Sequence, residues 1–211
     1  MRTLPLDTTG MQFTRRWFIN RNHGTFVQYI HPVWAGKPIV YLEIGCFEGQ
    51  SLCWCLQHIL THLDARAVGV DPWLMTEKLD GGMMEDAMHR AHLNLNRWIT
   101  GIRPNCQLHR ANSAEFLRAV LRRREGYGGI KAGGVDLCMV DGNHNALAVQ
   151  DDCRLVWRLL RPGGWMLMDD VCNDLPKKDH VRQGLDAFLA EAGDKVERVF
   201  KHRYMEGFVK K

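Results

Sequence analysis

Acidic side chains stand where two predicted neighbouring strands end. Asp141 follows the buried run Val135–Val140, and the pair Asp169-Asp170 follows the run Trp165–Met168. Neighbouring parallel strands lie about 4.8 Å apart, so we expect these three carboxylates to crowd one spot. Two unit charges 4 Å apart repel by roughly 4 kcal/mol at an effective dielectric constant of 20. Either some of these acids are protonated, or a cation lies between them.

The three carboxylates offer only oxygen ligands, which favours a hard divalent ion: Mg²⁺ first, with Ca²⁺ or Mn²⁺ as alternatives. His144 stands three residues after Asp141, at the same predicted edge. An imidazole there is placed to take the proton from a hydroxyl held on the metal, because the metal lowers the pKa of that hydroxyl. The alternative is structural: Asp169 or Asp170 caps a loop, Asp141 makes a turn, and His144 has no chemical role.

A glycine turn forms a second candidate site. It runs from Glu43 through Gly45 to Gly49, between the apolar run Ile39–Ile44 and a helix-like stretch that starts at Ser51. A buried strand that ends in such a turn at a helix N-terminus lets a ligand approach the backbone closely. The spacing is not that of dinucleotide or nucleotide-phosphate loops. Because the carboxylate of Glu43 repels a pyrophosphate and suits a cation, we interpret the ligand as S-adenosylmethionine, which carries sulfonium and ammonium charges.

Four further positions follow the second and third predicted strands. Asp71 lies about one βα unit after the glycine turn, where an acid accepts hydrogen bonds from ribose hydroxyls; the alternative is an N-cap for the next helix. Trp73 suits either the adenine face or the core. Asn112 and Ser113 suit the adenine edge, and Ser113 suits the cap of the following helix equally well.

Strand-like and helix-like runs alternate along the chain, which is typical of a parallel sheet covered by helices. The predicted strands are Ile39–Ile44, Ala67–Val70, Cys106–Arg110, Val135–Val140, Trp165–Met168, Val196–His202 and Tyr204–Lys210. The predicted helices are Leu52–Leu63, Gly82–Ile99, Ala114–Arg124, Ala146–Leu160 and Val181–Ala192. A tight turn joins the last two strands, which favours a hairpin. We therefore predict an α/β fold: a Rossmann-like, doubly wound sheet of seven strands, mostly parallel, with an antiparallel C-terminal hairpin.

Composition indicates an ordinary globular protein. The 211 residues are enough to bury a substantial core, and contents of 45% hydrophobic and 25% charged residues are typical of globular domains. We expect residues 1–35 to form an N-terminal helical cap or acceptor-pocket segment, and residues 36–211 to form the Rossmann-like domain. The apolar N-terminal segment is of a kind that often pairs subunits, which leaves a homo-oligomer open.

Charge and cysteine usage limit the partners and the compartment. The net charge of +4 is spread along the chain and does not favour nucleic-acid binding. Most of the seven cysteines lie in apolar or helical patterns, which indicates core thiols in a reducing compartment. The N-terminus has no apolar leader and no run approaches 18 apolar residues, so we predict a cytoplasmic protein without a membrane partner.

From about residue 35 onward the chain resembles the class I S-adenosylmethionine-dependent methyltransferases. Residues 42–51 look like their first motif, and Asp71 looks like their ribose-binding acid. Residues 135–144, 159–164 and 168–170 are similar to the metal-dependent branch, which includes macrocin and mycinamicin-type sugar O-methyltransferases and cephalosporin-hydroxylase-like proteins. Catechol-type O-methyltransferases are more distant relatives.

The resemblance implies methyl transfer to a hydroxyl of a small-molecule or glycosidic, natural-product-like acceptor. It also implies that Asp141, Asp169 and Asp170 hold Mg²⁺ and that His144 is the base. The candidate catalytic residues are thus His144 and Asp141. The candidate cofactor-binding residues are Glu43, Gly45, Gly49, Ser51, Asp71, Trp73, Asn112, Ser113 and Asp141.

Three other functions compete with this interpretation. A nucleic-acid methyltransferase is disfavoured, because Asp141-Gly-Asn-His144 stands where amino-group methylation needs Asp/Asn-Pro-Pro-Tyr. A hydroxylase-like use of the same metal site adds oxygen rather than a methyl group to the acceptor. A non-catalytic cofactor-binding protein would keep its role after replacement of His144 and Asp141.

Overall fold

The seven predicted strands form one sheet. The computed structural model describes residues 3–74, 81–101, 105–171 and 180–211. The strands are β1 (Val40–Ile44), β2 (Arg66–Asp71), β3 (Cys106–Arg110), β4 (Val135–Val140), β5 (Leu160–Met168), β6 (Val196–His202) and β7 (Met205–Lys210). Their order across the sheet is β3-β2-β1-β4-β5-β7-β6. Strands β1 to β5 are parallel, and β7 is antiparallel to both β5 and β6. The predicted fold class, including the antiparallel hairpin, is confirmed.

Helices cover the sheet. Two short α-helical turns, α1 (His23–Thr25) and α2 (His31–Trp34), alternate with the π-helical turns Phe18–Asn22 and Phe26–Ile30. The longer helices are α3 (Gln50–His58), α4 (Gly81–Ile99), α5 (Ser113–Arg122), α6 (Ala146–Leu159) and α7 (His180–Ala192), and a 3₁₀ turn, Gly193–Lys195, precedes β6.

The predicted helices are amphipathic, and their apolar stripes face the sheet. In α5 the buried side chains are Phe116, Leu117 and Val120, which share one face of the helix. Strand β4 is buried at all six positions, as expected for a central parallel strand with helices on both sides. Periodicity therefore located these elements to within a few residues, with two exceptions: the end of α3, at His58 rather than Leu63, and the start of β5.

Strand β5 begins five residues earlier than predicted. Helix α6 ends at Leu159, and Leu160 already pairs with Val135. Regular pairing resumes only at Trp165, opposite Leu137, so the residues between form an irregular bulge. Pro162, Gly163 and Gly164 lie in this bulge and interrupt the apolar pattern. The pattern therefore predicted a strand that begins only at Trp165.

The N-terminal helical turns pack against α3. The rings of Phe18 and Phe26 lie 5.8 Å from the ring of Trp54, and 5.1 Å from each other. All three side chains are buried. The segment is thus part of the main hydrophobic core on this face of the sheet.

Strand order reverses between β1 and β4, because β1 lies between β2 and β4. In open sheets of this kind the crevice beyond the carboxyl ends of these strands is where ligands bind. The glycine turn after β1 and the acids after β4 and β5 all lie at this edge. No helix among the residues described is both long and apolar enough to cross a membrane.

Candidate active site

The turn after β1 packs directly against the end of β4. Gly45 has a φ of +83°, and its N–H donates to the carbonyl oxygen of Val70 at 2.8 Å. A Cβ atom at this position would lie 1.9 Å from the carbonyl oxygen of Asp141. Only glycine allows both the left-handed backbone and this approach. The predicted cofactor turn and the predicted catalytic loop are therefore in contact.

Glu43, the last residue but one of β1, is a buried carboxyl group. The hydroxyl of Tyr41 donates to Oε2 at 2.7 Å, and the hydroxyl of Ser51 donates to Oε1. Burial raises the pKa of Glu43 to about 7, although both hydrogen bonds oppose the shift. The negative charges of Asp71 and Asp169 raise this pKa further. A cation bound nearby would favour the ionised carboxylate, as the sequence analysis assumed for a sulfonium ligand.

Asp71 accepts two backbone hydrogen bonds. The N–H of Phe47 donates to Oδ2 at 2.9 Å, and the N–H of Trp73 donates to Oδ1 at 2.8 Å. Phe47 and Trp73 have φ values of +45° and +43°, a conformation that costs of order 1–3 kcal/mol in residues other than glycine. Each carboxylate oxygen retains acceptor capacity for a ribose hydroxyl.

The N-cap alternative for Asp71 is wrong for the next described helix. Helix α4 begins only at Gly81. Asp71 instead bonds to the N–H two residues ahead, which is an Asx turn.

Trp73 lies in the core. Its side chain is 2% exposed, and its Nε1–H donates to the carbonyl oxygen of Phe47 at 2.9 Å. This placement corresponds to the core alternative of the sequence analysis. Contact between Trp73 and an adenine ring stays a prediction.

The helix after β3 is capped by Asn112 rather than by Ser113, so that alternative for Ser113 is wrong. The side-chain oxygen of Asn112 accepts from the N–H groups of Ala114 at 3.0 Å and Glu115 at 3.4 Å. Asp152 is a buried acid whose pKa burial raises to about 6, and the Ser113 side chain opposes that shift. A cofactor contact by Asn112 or Ser113 stays a prediction.

The acids after β4 and β5 meet with His144. Ligand atoms of Asp141, His144 and Asp170 all lie within 4.8 Å of one another, and Nε2 of His144 is 3.7 Å from Oδ2 of Asp170. Burial raises the pKa of Asp141 well above its usual value, and the charges of Asp169 and Asp170 add to the shift. The crowding of carboxylates expected from the sequence is therefore present.

Asp169 is buried, and its carboxylate is hydrogen-bonded by a residue of the N-terminal segment. Its Oδ2 atom accepts from Nδ2 of Asn22 at 2.6 Å. Burial, reinforced by the charge of Asp170, raises the pKa of Asp169 to about 6. The gathered ligand atoms belong to Asp141, His144 and Asp170, and the charge of Asp169 acts on Asp141; a cation contact by Asp169 stays a prediction.

The residues at this edge suit a hard cation. Asp169 Oδ1 and Asn22 Oδ1 are buried, and neither has a hydrogen-bond partner in the described parts of the chain. Buried acceptors without partners are uncommon, and a bound ion is one recognised explanation. Oxygen donors of this kind match Mg²⁺, Mn²⁺ or Ca²⁺ better than a soft metal.

Several site residues were not found by sequence reasoning, and they come from the N-terminal segment. Besides Asn22, Arg21 reaches Asp170: its Nη1 atom donates to Oδ1 at 2.9 Å. The Arg21 guanidinium also lies 5.1 Å from the ring centroid of Tyr204. No local pattern signals these contacts, because they join residues almost 150 positions apart.

We name residues 12–22 the N-terminal strap, because they run across the site. At one end, the N–H and hydroxyl of Thr14 each donate to the buried carboxylate of Glu48 at 2.7 Å. Gln12 exchanges two hydrogen bonds with Asn94. The Nε–H of Arg90 also donates to Glu48, at 2.5 Å. The strap thus links the glycine turn and α4 to the acids at the end of β5.

Comparison with known proteins identifies the domain. Residues 42–171 match the profile of a family described as a methyltransferase domain. The matched residues include the glycine turn, Asp71, and the acids after β4 and β5. A comparison with curated proteins gave no match.

Solved structures show the same fold. An O-methyltransferase from Bacillus cereus, in complex with SAH, is 19% identical, with a TM-score of 0.54 over 81% of this chain and 74% of that chain. The O-methyltransferase TomG from Streptomyces achromogenes, involved in tomaymycin synthesis and in complex with SAM, is 18% identical, with a TM-score of 0.55 over 81% and 72%. A SAM-dependent O-methyltransferase from Thermotoga maritima is 15% identical, with a TM-score of 0.55 over 88% and 63%.

The family match covers more than half of the chain and includes the glycine turn, Asp71 and the acids after β4 and β5. The strand order and the glycine turn described above agree with it. The chain therefore belongs to this methyltransferase-domain family and is a class I S-adenosylmethionine-dependent methyltransferase.

Proposed function

We propose that the enzyme transfers the methyl group of S-adenosylmethionine to a hydroxyl oxygen of a small-molecule or glycosidic acceptor, with help from a divalent cation. The observation that carries this proposal is the gathering of Asp141, His144 and Asp170 at the edge of the sheet, against the cofactor turn. Methyl transfer to an amino group depends less on a cation and on a base than methyl transfer to a hydroxyl does. The O-methyltransferases among the solved structures support the same choice of acceptor atom.

His144 is the proposed general base. The methyl group leaves the sulfonium sulfur and forms a bond to the acceptor oxygen, while the hydroxyl proton passes to the imidazole, which leaves S-adenosylhomocysteine as the second product. Asp170, 3.7 Å from Nε2 of His144, stabilises the imidazolium that forms. The His144 side chain is about half exposed, so an acceptor can reach it from solvent.

Asp141, Asp169 and Asp170 are the proposed holders of the cation. Mg²⁺ bound there would lower the pKa of an acceptor hydroxyl and orient two adjacent acceptor oxygens. Burial is the largest cause of the elevated pKa values of Asp141 and Asp169, and neighbouring carboxylates add to both; a divalent charge would favour the ionised forms, which supports this assignment.

Glu43 and Asp71 are the proposed cofactor acids. Glu43 supplies negative charge under the positively charged methionine portion, and Asp71 accepts from the ribose hydroxyls. Gly45 keeps the β1 turn close to Asp141, which holds the donor next to the acceptor site. Positioning and charge control then account for most of the rate increase.

The first test is a turnover screen over catechols, glycosides and hydroxylated natural products. Release of S-adenosylhomocysteine is measured with Mg²⁺ and with a chelator. We expect release with at least one class of vicinal-oxygen acceptor and its loss with chelator. Equal turnover in chelator would contradict metal assistance, and binding of S-adenosylmethionine without any turnover would favour a non-catalytic role.

His144→Gln tests the base. We expect kcat to fall about 10²- to 10⁴-fold, because proton removal by a positioned side chain contributes a factor of this size. Cofactor affinity, measured by calorimetry, should stay within about twofold of wild type. His89→Gln is the matched control, since His89 is an exposed histidine on α4. An unchanged kcat in His144→Gln would exclude His144 as the base.

A further inference from the structure

Arg21 occupies one side of the proposed cation site. Its guanidinium donates to Oδ1 of Asp170, while Oδ2 of the same carboxylate lies near His144. Asp170 has a φ of +52°, so the backbone holds this residue in a constrained conformation that presents its side chain to both partners. A divalent cation on Asp170 would therefore approach a fixed positive charge.

Asn22, the next residue, holds the next acid. Its Nδ2 atom donates to Asp169, and the Asn22 side chain is only 4% exposed. Two consecutive strap residues thus bind the two consecutive aspartates that end β5. The buried oxygens Asn22 Oδ1 and Asp169 Oδ1, unpartnered within the described residues, are an independent sign that this arrangement leaves acceptors for a ligand.

The Arg21 side chain has a second partner outside the acids. Its guanidinium lies over the ring of Tyr204, in the turn between β6 and β7. The Arg21 side chain is about half exposed. Release from Asp170 therefore leaves the guanidinium in contact with water and with an aromatic face rather than buried without a partner.

We propose that Arg21 competes with the divalent cation for Asp170, so that cation binding releases Arg21 and loosens the N-terminal strap. The competition follows from like-charge repulsion across one carboxylate. It rests on the metal-assisted function proposed above. Because linked equilibria are reciprocal, the Arg21–Asp170 pair weakens cation binding by the same factor by which the bound cation weakens the pair.

Arg21→Gln tests the competition directly. Binding of Mn²⁺ is measured from the electron paramagnetic resonance signal of the free ion, without acceptor or turnover. We expect the variant to bind Mn²⁺ about two- to fivefold more tightly than wild type, the range that a partly exposed ion pair supports. Arg21→Lys, which keeps the charge, should stay close to wild type.

Two further variants serve as controls. Arg16→Gln removes an exposed positive charge from the same strap and leaves the Arg21–Asp170 pair, so it should change the affinity less than twofold. Asp170→Asn should weaken Mn²⁺ binding, since it removes a proposed ligand. Equal tightening in Arg16→Gln and Arg21→Gln would indicate a general charge effect and would overturn the competition.

Hydrogen–deuterium exchange gives a second readout on the wild-type protein. Peptides spanning residues 14–22 should exchange faster with Mn²⁺ than without it, and in Arg21→Gln the ion should have little effect. This measurement decides the question even if Arg21→Gln does not fold. Unchanged exchange and equal affinities, with Mn²⁺ bound, would overturn the competition and leave the metal site intact. Absence of Mn²⁺ binding in every variant would overturn the metal-assisted function itself, and the competition with it.

Discussion

Glu43 is a carboxyl group whose chemistry is set by its surroundings. Its two oxygens accept from Tyr41 and Ser51, and burial is the largest cause of its raised pKa. In the unfolded chain the same group titrates near 4.5. Between that value and about 7 the folded protein binds more protons at this position than the unfolded chain does.

Glu43 should therefore make stability fall as pH rises. Ionisation in the folded state is penalised above the unfolded pKa, and the penalty is complete above the folded pKa of about 7. A shift of this size corresponds to about 3 kcal/mol. We expect the free energy of unfolding of wild type, relative to Glu43→Gln, to fall by about 3 kcal/mol between pH 4.5 and 8 in urea titrations. A difference that is flat with pH would contradict the raised pKa.

Arg21, Asn22 and His144 obtain their proposed roles from the residues that they contact in the fold. Each was ordinary by type: an exposed cation, an amide and a loop histidine. Their positions beside Asp169 and Asp170 give them chemical meaning. The type of a residue therefore limits the chemical roles that its side chain can have, and the side chains next to it in the folded protein determine which role it takes.

Among the secondary-structure elements, helix α5 is stabilised by its N-cap residue, Asn112. Asn112 satisfies two N–H groups of α5 that otherwise have no partner within the helix. Asn145 does the same for α6, directly after the loop that carries His144. Both caps stand at the carboxyl edge of the sheet, next to Ser113 at the start of α5 and to the His144 loop.

Asn112→Ala should cost about 1 kcal/mol of stability, the usual value for a lost N-cap. Asn112→Asp keeps a side-chain acceptor and should remain close to wild type. The measurement is urea unfolding followed by circular dichroism. Equal stability of the alanine and aspartate variants would show that the cap is not energetically important. Cofactor affinity of Asn112→Asp, measured separately, reports on the predicted adenine contact.

At the scale of the whole molecule, Glu206 joins the C-terminal hairpin to helix α7. The buried carboxylate of this β7 residue accepts from Arg182 of α7, and Arg198 and Lys201 of β6 lie 3.4 Å away. Hydrogen bonds and charge from Arg182 and Lys201 lower the pKa of Glu206 despite its burial. The network links β7 to α7 and β6, and β7 pairs with β5, the strand that precedes Asp169.

Glu206→Ala should destabilise the protein by roughly 3 kcal/mol, because it leaves the partly buried Arg182 without its main partner. Glu197→Ala is the matched control, since Glu197 is an exposed glutamate of β6 paired only at 3.4 Å with Lys211. That control should change stability by less than about 1 kcal/mol. The free energy of unfolding in urea measures both. Equal losses in the two variants would contradict a special role for the network.

Location and assembly of the whole molecule remain predictions. A cytoplasmic location rests on the residue patterns given above. Self-association rests on the apolar character of the N-terminal segment, much of which packs against α3 within one chain. Light scattering of the purified protein measures the oligomeric state.

The sequence by itself determined the sheet and the edge that carries the site. Strands such as β4 were recognisable because burial on both faces requires an unbroken apolar run. Acids after parallel strands had to share one edge, which placed Asp141, Asp169 and Asp170 together. Gly45 stood out because a turn of this kind tolerates no side chain.

The tertiary structure decided which side chains complete that edge. Arg21 and Asn22 meet the acids across almost 150 residues, and no local period records such a contact. The burial of Trp73 and the early start of β5 have the same origin. The periodic pattern of apolar residues depends on residues that are close in sequence. Contacts between side chains of distant segments depend on how those segments pack, which only the folded chain specifies.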